Sequence, residues 1–240
     1  MHLLLFDIDG TLINSSRIGR VALGRALTAV FGTTGALETY EFAGKTDRRI
    51  VHDLLAAEGW APAEVEARLP QLDEAMAAAG RELFTPKTIW ACPGVPALLE
   101  ELARREGVML ALLTGNIRDT VSLKLTAAGI DSSRFIAGAY GSDSRERDAL
   151  FDIALDRVRQ STGVTFASPD VTVIGDTPAD IRCARSGGSR AVAVATGPYP
   201  ADLLSRHHPD VLFADLTPTA EVLRVLLAPD LVIPSIHGGG

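Results

Sequence analysis

Lysine is scarce in this chain. Lys45, Lys87 and Lys124 are the only three among 240 residues, and arginine supplies the rest of the 23 basic side chains. There is no basic excess either: the formal net charge is −7. With no basic stripe, nucleic acid is not expected as a partner. Cysteine is limited to Cys92 and Cys183, without metal-type spacing. That excludes a disulfide scaffold, suits a reducing compartment, and predicts two small core residues. No apolar run reaches the roughly 18 residues that span a bilayer, so no membrane partner is expected. The first residues predict no secretory leader, and cytoplasmic placement is expected. His207-His208 has no acids or cysteines at ligand spacing and reads as a surface loop.

What is present is alternation. Four short runs, Leu3–Ile8, Met109–Leu113, Val171–Ile174 and Ala191–Ala195, are apolar on both faces. This marks buried parallel strands. Helical spacing of apolar residues runs over Pro96–Arg105, Asp119–Ala128, Ala149–Arg159 and Ala179–Ser186. Strand and helix in turn predict an α/β fold with a parallel sheet. Residues 15–87 break the rhythm and read as helices at Arg17–Phe31, Asp47–Glu58, Pro62–Leu69 and Gln71–Phe84. The Ala-rich stretch Glu74–Gly80 is helix packing. The expected division is a core of residues 1–14 and 88–228, a helical insert over 15–87, and a flexible tail from 229 to 240.

Ligands of such sheets bind beyond the carboxyl ends of the strands. Three strand ends carry polar residues: Asp7, Asp9 and Thr11; Thr114, Gly115 and Asn116; and Asp176 with Asp180. Asp7 and Asp9, two apart on a strand, would lie on one face about 7 Å apart. Alone, such a pair could be turn chemistry or a helix cap, and Asp180 could be a charge favoured by a helix N-terminus. Together the acids form an anionic cluster that a cation would relieve. All-oxygen donors favour Mg²⁺. Thr114 and Asn116 can donate to phosphoryl oxygens, and Gly10 and Gly115 let backbone N–H groups approach. A carboxylate can then attack phosphorus. The residues themselves point to Mg²⁺-dependent phosphoryl transfer through an acid cluster.

Three segments then fit one family. "DIDGT" at Asp7–Thr11, "LLTGN" at Leu112–Asn116 and "VIGDTPAD" at Val173–Asp180 resemble, in order and spacing, three motifs of the haloacid dehalogenase superfamily. "CPGVPALLEEL" and the helical insert are similar to its phosphoglycolate-phosphatase-like subgroup, where the insert is a cap. The resemblance implies a Rossmann-like core with a helical cap. It makes Asp7 the nucleophile of an aspartyl-phosphate intermediate and Asp9 the general acid/base. Thr114 becomes the phosphoryl ligand. Asp7, the Asp9 backbone carbonyl, Asp176 and Asp180 become the metal site. The family's third motif is a lysine that opens a Lys-Pro pair, and none exists here. Arg147 is the expected substitute, with Arg145 second. Lys124 is set aside as mid-helix, more than about 10 Å from the strand end by helix rise.

Gly44-Lys45-Thr46 lacks the glycine five residues earlier that a P-loop requires, since that position is Thr39. The resemblance makes Lys45 and Thr46 candidates for touching substrate from the cap; the alternative is a helix start with Asp47 near it. The expected activity is a phosphatase acting on a small phosphate monoester, with a small phosphorylated metabolite as partner. A phosphomutase, a dehalogenase (disfavoured by Asp9) and a catalytically weak binding protein are the alternatives. Monomer and homodimer both fit.

Overall fold

The computed structural model describes residues 1–227. The tail expected at 229–240 lies outside them. The chain starts with β1 (His2–Phe6) and continues into β2 (Ile13–Ser15). Four helices follow: α1 (Ile18–Phe31), α2 (Asp47–Ala57), α3 (Pro62–Glu66) and α4 (Leu69–Leu83). Then come β3 (Ile89–Ala91), α5 (Val95–Ala103), β4 (Val108–Leu113), α6 (Arg118–Ala127) and β5 (Gly138–Ala139). The remainder is α7 (Leu150–Thr162), β6 (Val171–Gly175), α8 (Pro178–Ser186), β7 (Arg190–Val194), α9 (Ala201–Ser205), β8 (Val211–Phe213) and α10 (Thr219–Leu227).

Among the described residues the main sheet has the order β5-β4-β1-β6-β7-β8, every pairing parallel. This is the Rossmann-like α/β core expected from the alternation. β1 is central, with Leu3 opposite both Met109 and Val171. Its side chains alternate between two apolar layers. Leu4 and Phe6 pack into one, Leu3 and Leu5 into the other, all fully buried. A strand covered on both faces therefore reads as an unbroken apolar run. Cys92 and Cys183 are buried, as expected, and burial pushes both thiols up to about 12.

The helical segment is joined to the core by a two-stranded antiparallel ribbon. β2 pairs with β3 in the register Asn14 to Trp90. No strand was expected at either junction, because three residues are too few for a periodic signal. α1 and α4 pack lengthwise, and α4 also leans on α6 of the core. Leu23, Leu54 and Leu72 from this segment share one apolar cluster with Leu112, Ile117 and Leu125. Burial of that size, at about 25 cal/mol per Å² of apolar surface, holds the helices against the sheet's carboxyl edge. No described helix is long and apolar enough to cross a membrane.

Candidate active site

β1 is shorter than its apolar run. It ends at Phe6, and the Asp7 N–H still donates to the Ile174 carbonyl of β6 at 2.9 Å. The chain then coils: Leu12 and Ile13 both donate to the Ile8 carbonyl, at 2.9 Å each. The turn needs Gly10, whose φ is +85°. A Cβ there would overlap the Asp176 carboxylate. Asp7 and Asp9 are thus loop residues and not two steps of one strand. Gly10 also departs from its expected task, since its own N–H donates to the Ile13 carbonyl at 2.7 Å. Its role is conformational.

β1, β4 and β6 are neighbours, so Asp7, Thr114 and Asp176 are brought together at one edge. They line a cavity of about 490 Å³. Asp9, Gly115, Asn116 and Arg147 line it from the core, and Lys45 and Asp47 from the helical segment. His207 and His208 stand apart on an exposed turn, as expected.

Asp7, Asp176 and Asp180 are all buried, and an oxygen of each lies within 4.8 Å of the others. Burial pushes the Asp7 carboxyl up to about 6; Arg147 opposes that rise and Asp180 adds to it. Burial, with Asp7 and Asp180 behind it, also raises Asp176 well above the carboxylate range. Asp176 Oδ1 accepts from Thr11 Oγ1 at 3.2 Å, while its Oδ2 is buried without a partner. A Cβ at Gly10 or at Gly197 would overlap that carboxylate. An orphaned oxygen in a glycine-lined space, beside a second carboxylate driven upward, fits a divalent cation held by oxygen donors.

Asp180 is differently placed. Its Oδ2 accepts from Thr177 N at 3.0 Å and Thr177 Oγ1 at 2.7 Å, which caps α8. Its Oδ1 accepts from Arg147 Nε at 3.1 Å and Nη2 at 2.5 Å. Both oxygens are occupied by protein donors, so Asp180 orients Arg147 as much as it faces a cation. Arg147 Nη2 also reaches Asp7 Oδ1 at 3.0 Å. Burial works to lower the guanidinium's pKa, but Asp180 and Asp7 outweigh it and leave it raised. Arg145 is exposed, with only its carbonyl engaged nearby.

Arg147, not Lys124, pairs with Asp7, but Lys124 is not remote from the site. From α6 its Nζ lies 2.9 Å from Asp9 Oδ1, 2.7 Å from Asp9 Oδ2 and 2.5 Å from Asn116 Oδ1. Helix rise measured distance from β4, whereas Asp9 sits on the loop that climbs off β1 beside the flank of α6. Asn116 Nδ2 donates to Asp9 Oδ2 at 2.6 Å and to Thr114 Oγ1 at 2.8 Å. Thr114 is fully buried, and its hydroxyl keeps its own proton to donate.

The segment before α2 docks onto this edge. Gly44 has φ +73°, and a Cβ there would lie 3.0 Å from Thr177 Oγ1 at the start of α8. Lys45 reaches the cavity with its ammonium 3.9 Å from the Tyr40 ring centroid. Thr46 differs from expectation. It is fully buried and its hydroxyl is spent, accepting from Arg49 N at 3.1 Å as the α2 cap and donating to the Arg145 carbonyl at 2.8 Å. From the sequence Asp47 reads only as a charge at a helix start. It is half-buried, donates its N–H to the Gly115 carbonyl at 2.7 Å, and accepts from Ile117 N at 2.8 Å. Burial pushes its carboxyl up to about 6 against the pull of Lys124. Gly115 leaves no room for a side chain, since a Cβ would overlap the Lys45 carbonyl.

The model of the haloacid dehalogenase-like hydrolases matches residues 4–194. The chain belongs to this family. A phosphoserine phosphatase of Thermus thermophilus is 34% identical over 204 residues, covering 83% of this chain and 73% of that protein. Phosphoglycolate phosphatase 1 of Pseudomonas aeruginosa is 27% identical over 240 residues, covering 95% and 83%. The crystal structure of a hydrolase from Pseudomonas syringae has the same fold, with a TM-score of 0.69, 24% identity, and coverage of 93% of this chain and 98% of that one. The family and the phosphatase names of these relatives make this hydrolase a phosphoric monoester hydrolase.

Proposed function

We propose that the chain hydrolyses a small phosphate monoester through an aspartyl-phosphate on Asp7, with Mg²⁺ as cofactor and residues 15–87 acting as a cap. The observation that carries this reading is the pairing of a buried Asp7, fixed by Arg147 at 3.0 Å, with Asp176 and its unpartnered oxygen. Asp7, Asp176 and the Asp9 backbone carbonyl would hold the cation, with Asp180 behind them through Arg147. When bound, it supplies positive charge against the phosphoryl oxygens and keeps Asp7 ionised.

The chain's own residues do the rest. An oxygen of Asp7 attacks phosphorus, and the bond from phosphorus to the ester oxygen breaks. Asp9 gives its proton to the departing alkoxide, which leaves as an alcohol. Asp9 then takes a proton from a water that attacks the phosphoryl group. The bond to Asp7 breaks and inorganic phosphate is released, with Asp7 restored as a carboxylate and Asp9 as its protonated acid. Thr114 Oγ1 and Arg147 donate to the phosphoryl oxygens, and Asn116 holds Thr114 and Asp9 in register. A 490 Å³ cavity suits a small metabolite, and phosphoglycolate is the first ester to try. Docking of Asp47 on Gly115 and Ile117 supports a cap that shuts water out of this space.

The test is phosphate release over a panel of metabolite esters in Mg²⁺ and then in EDTA, with Asp7→Asn as control. Release that needs Mg²⁺ and disappears in the variant is expected. Release unaffected by EDTA, or retained in Asp7→Asn, overturns the reading.

A further inference from the structure

We propose that Lys124 is a positioning residue that fixes the carboxylate of Asp9 at the cavity wall, an inference that rests on the general acid/base role of Asp9 proposed above. Burying an ammonium costs several kcal/mol unless acceptors surround it. The Lys124 side chain is only 6% exposed, so its partners decide what it is for. An ammonium has three protons to give. Its acceptors here are Asp9 Oδ1, Asp9 Oδ2 and Asn116 Oδ1, all within 2.9 Å. Asp9 and Asn116 both line the cavity. The lysine therefore faces the reacting space and not a structural ion pair elsewhere.

The arrangement is a closed ring. Lys124 holds both oxygens of Asp9 and the carbonyl oxygen of Asn116, and Asn116 returns its NH₂ to Asp9 and to Thr114. The Asp9 side chain is 42% exposed, so little packing restrains it. With Lys124 in place, its carboxylate cannot turn without breaking three hydrogen bonds. Without Lys124, Asn116 alone would hold one oxygen. The two acids thus have separate cations, Arg147 for Asp7 and Lys124 for Asp9. The helical segment completes the pocket around the ammonium: a Cβ at Gly19 of α1 would lie 3.5 Å from Nζ, and the Phe84 ring centroid is 5.8 Å away. A larger residue at position 19 would crowd the same ring.

The consequence is a dependence on leaving group. Asp9 matters to the first step in proportion to how badly the departing oxygen needs a proton. The measurement is kcat/KM for an ester series from p-nitrophenyl phosphate through phenyl phosphate to an alkyl phosphate, on wild type, Asp9→Asn, Lys124→Met and Lys124→Gln, each checked by its melting transition. Asp9→Asn sets the scale: its loss should be far greater for the alkyl than for the p-nitrophenyl ester. Lys124→Met should follow the same trend, losing about tenfold or more beyond the p-nitrophenyl loss on the alkyl ester, part of the roughly 100- to 10,000-fold that general acid catalysis contributes. Lys124→Gln, which keeps one donor for Asp9, should fall between, and it carries the test if the Met variant does not fold. If Asp9→Asn shows the trend while both lysine variants lose activity equally on all esters, or lose none, the positioning role is overturned. If Asp9→Asn shows no trend, the acid role of Asp9 falls, and the inference with it.

Discussion

Replacing Asp7 by Asn should stabilise the metal-free protein at neutral pH, although it removes the proposed nucleophile. The Asp7 carboxyl lies at about 6 when folded, against an ordinary value of 3.8, because burial outweighs the attraction of Arg147. A carboxyl raised on folding binds its proton more tightly in the native state. Its favourable contribution is complete below about 3.8 and is lost as pH rises to about 6. At about 1.36 kcal/mol per tenfold change in proton affinity, the loss is about 3 kcal/mol. Asparagine has nearly the shape of the protonated acid and does not titrate. The stability of Asp7→Asn minus that of wild type should therefore be small at pH 3.5, climb between pH 4 and 6, and level off about 3 kcal/mol in favour of the variant. Urea unfolding in EDTA across this range measures it, and taking the difference cancels the other titrating groups. A difference that is flat with pH, or that favours wild type at pH 7, refutes the account of burial at this site.

Asp176→Asn should abolish the rise in melting temperature that Mg²⁺ gives the wild type. By linkage that rise corresponds to about 2.7 kcal/mol at a hundredfold excess over Kd, and an equal rise in the variant would place the cation elsewhere. Arg147→Met leaves Asp7 and Asp180 facing each other in the interior, and should cost about 3–5 kcal/mol in denaturant unfolding at pH 7, along with phosphate release. Gly115→Ala drives a methyl into the Lys45 carbonyl and should separate the two loops. A stability loss of about 1–3 kcal/mol and a raised KM are expected, and an unchanged KM would show that the docking does not shape the site.

Much of this chain can be read without coordinates. Runs such as Leu3–Ile8 are apolar on both faces because the sheet is covered on both sides, and the acids that follow them lie at the sheet's edge by the rule for parallel strands. The helices at Ile18–Phe31, Asp47–Ala57 and Leu69–Leu83 were visible from periodicity because each buries one face. β2, β3, β5 and β8, two or three residues each, were not, because pairing and not pattern makes them strands.

The sequence by itself determined that carboxylates, hydroxyls and glycines converge at three strand ends. Only the tertiary structure decided which cation meets which acid. Arg147 and Arg145 are two apart, yet one is buried against Asp7 and Asp180 while the other is exposed. Lys124 looked remote because distance was counted along its own helix, whereas its partner arrives on a loop from the neighbouring strand. Thr46 and Asp47 likewise looked like a helix start. They are one, but the same residues also dock that helix on Arg145, Gly115 and Ile117. Periodicity fixes which face of an element is buried. It carries no information on what a side chain at that face meets across a gap, because that depends on the placement of a second element far away in the chain.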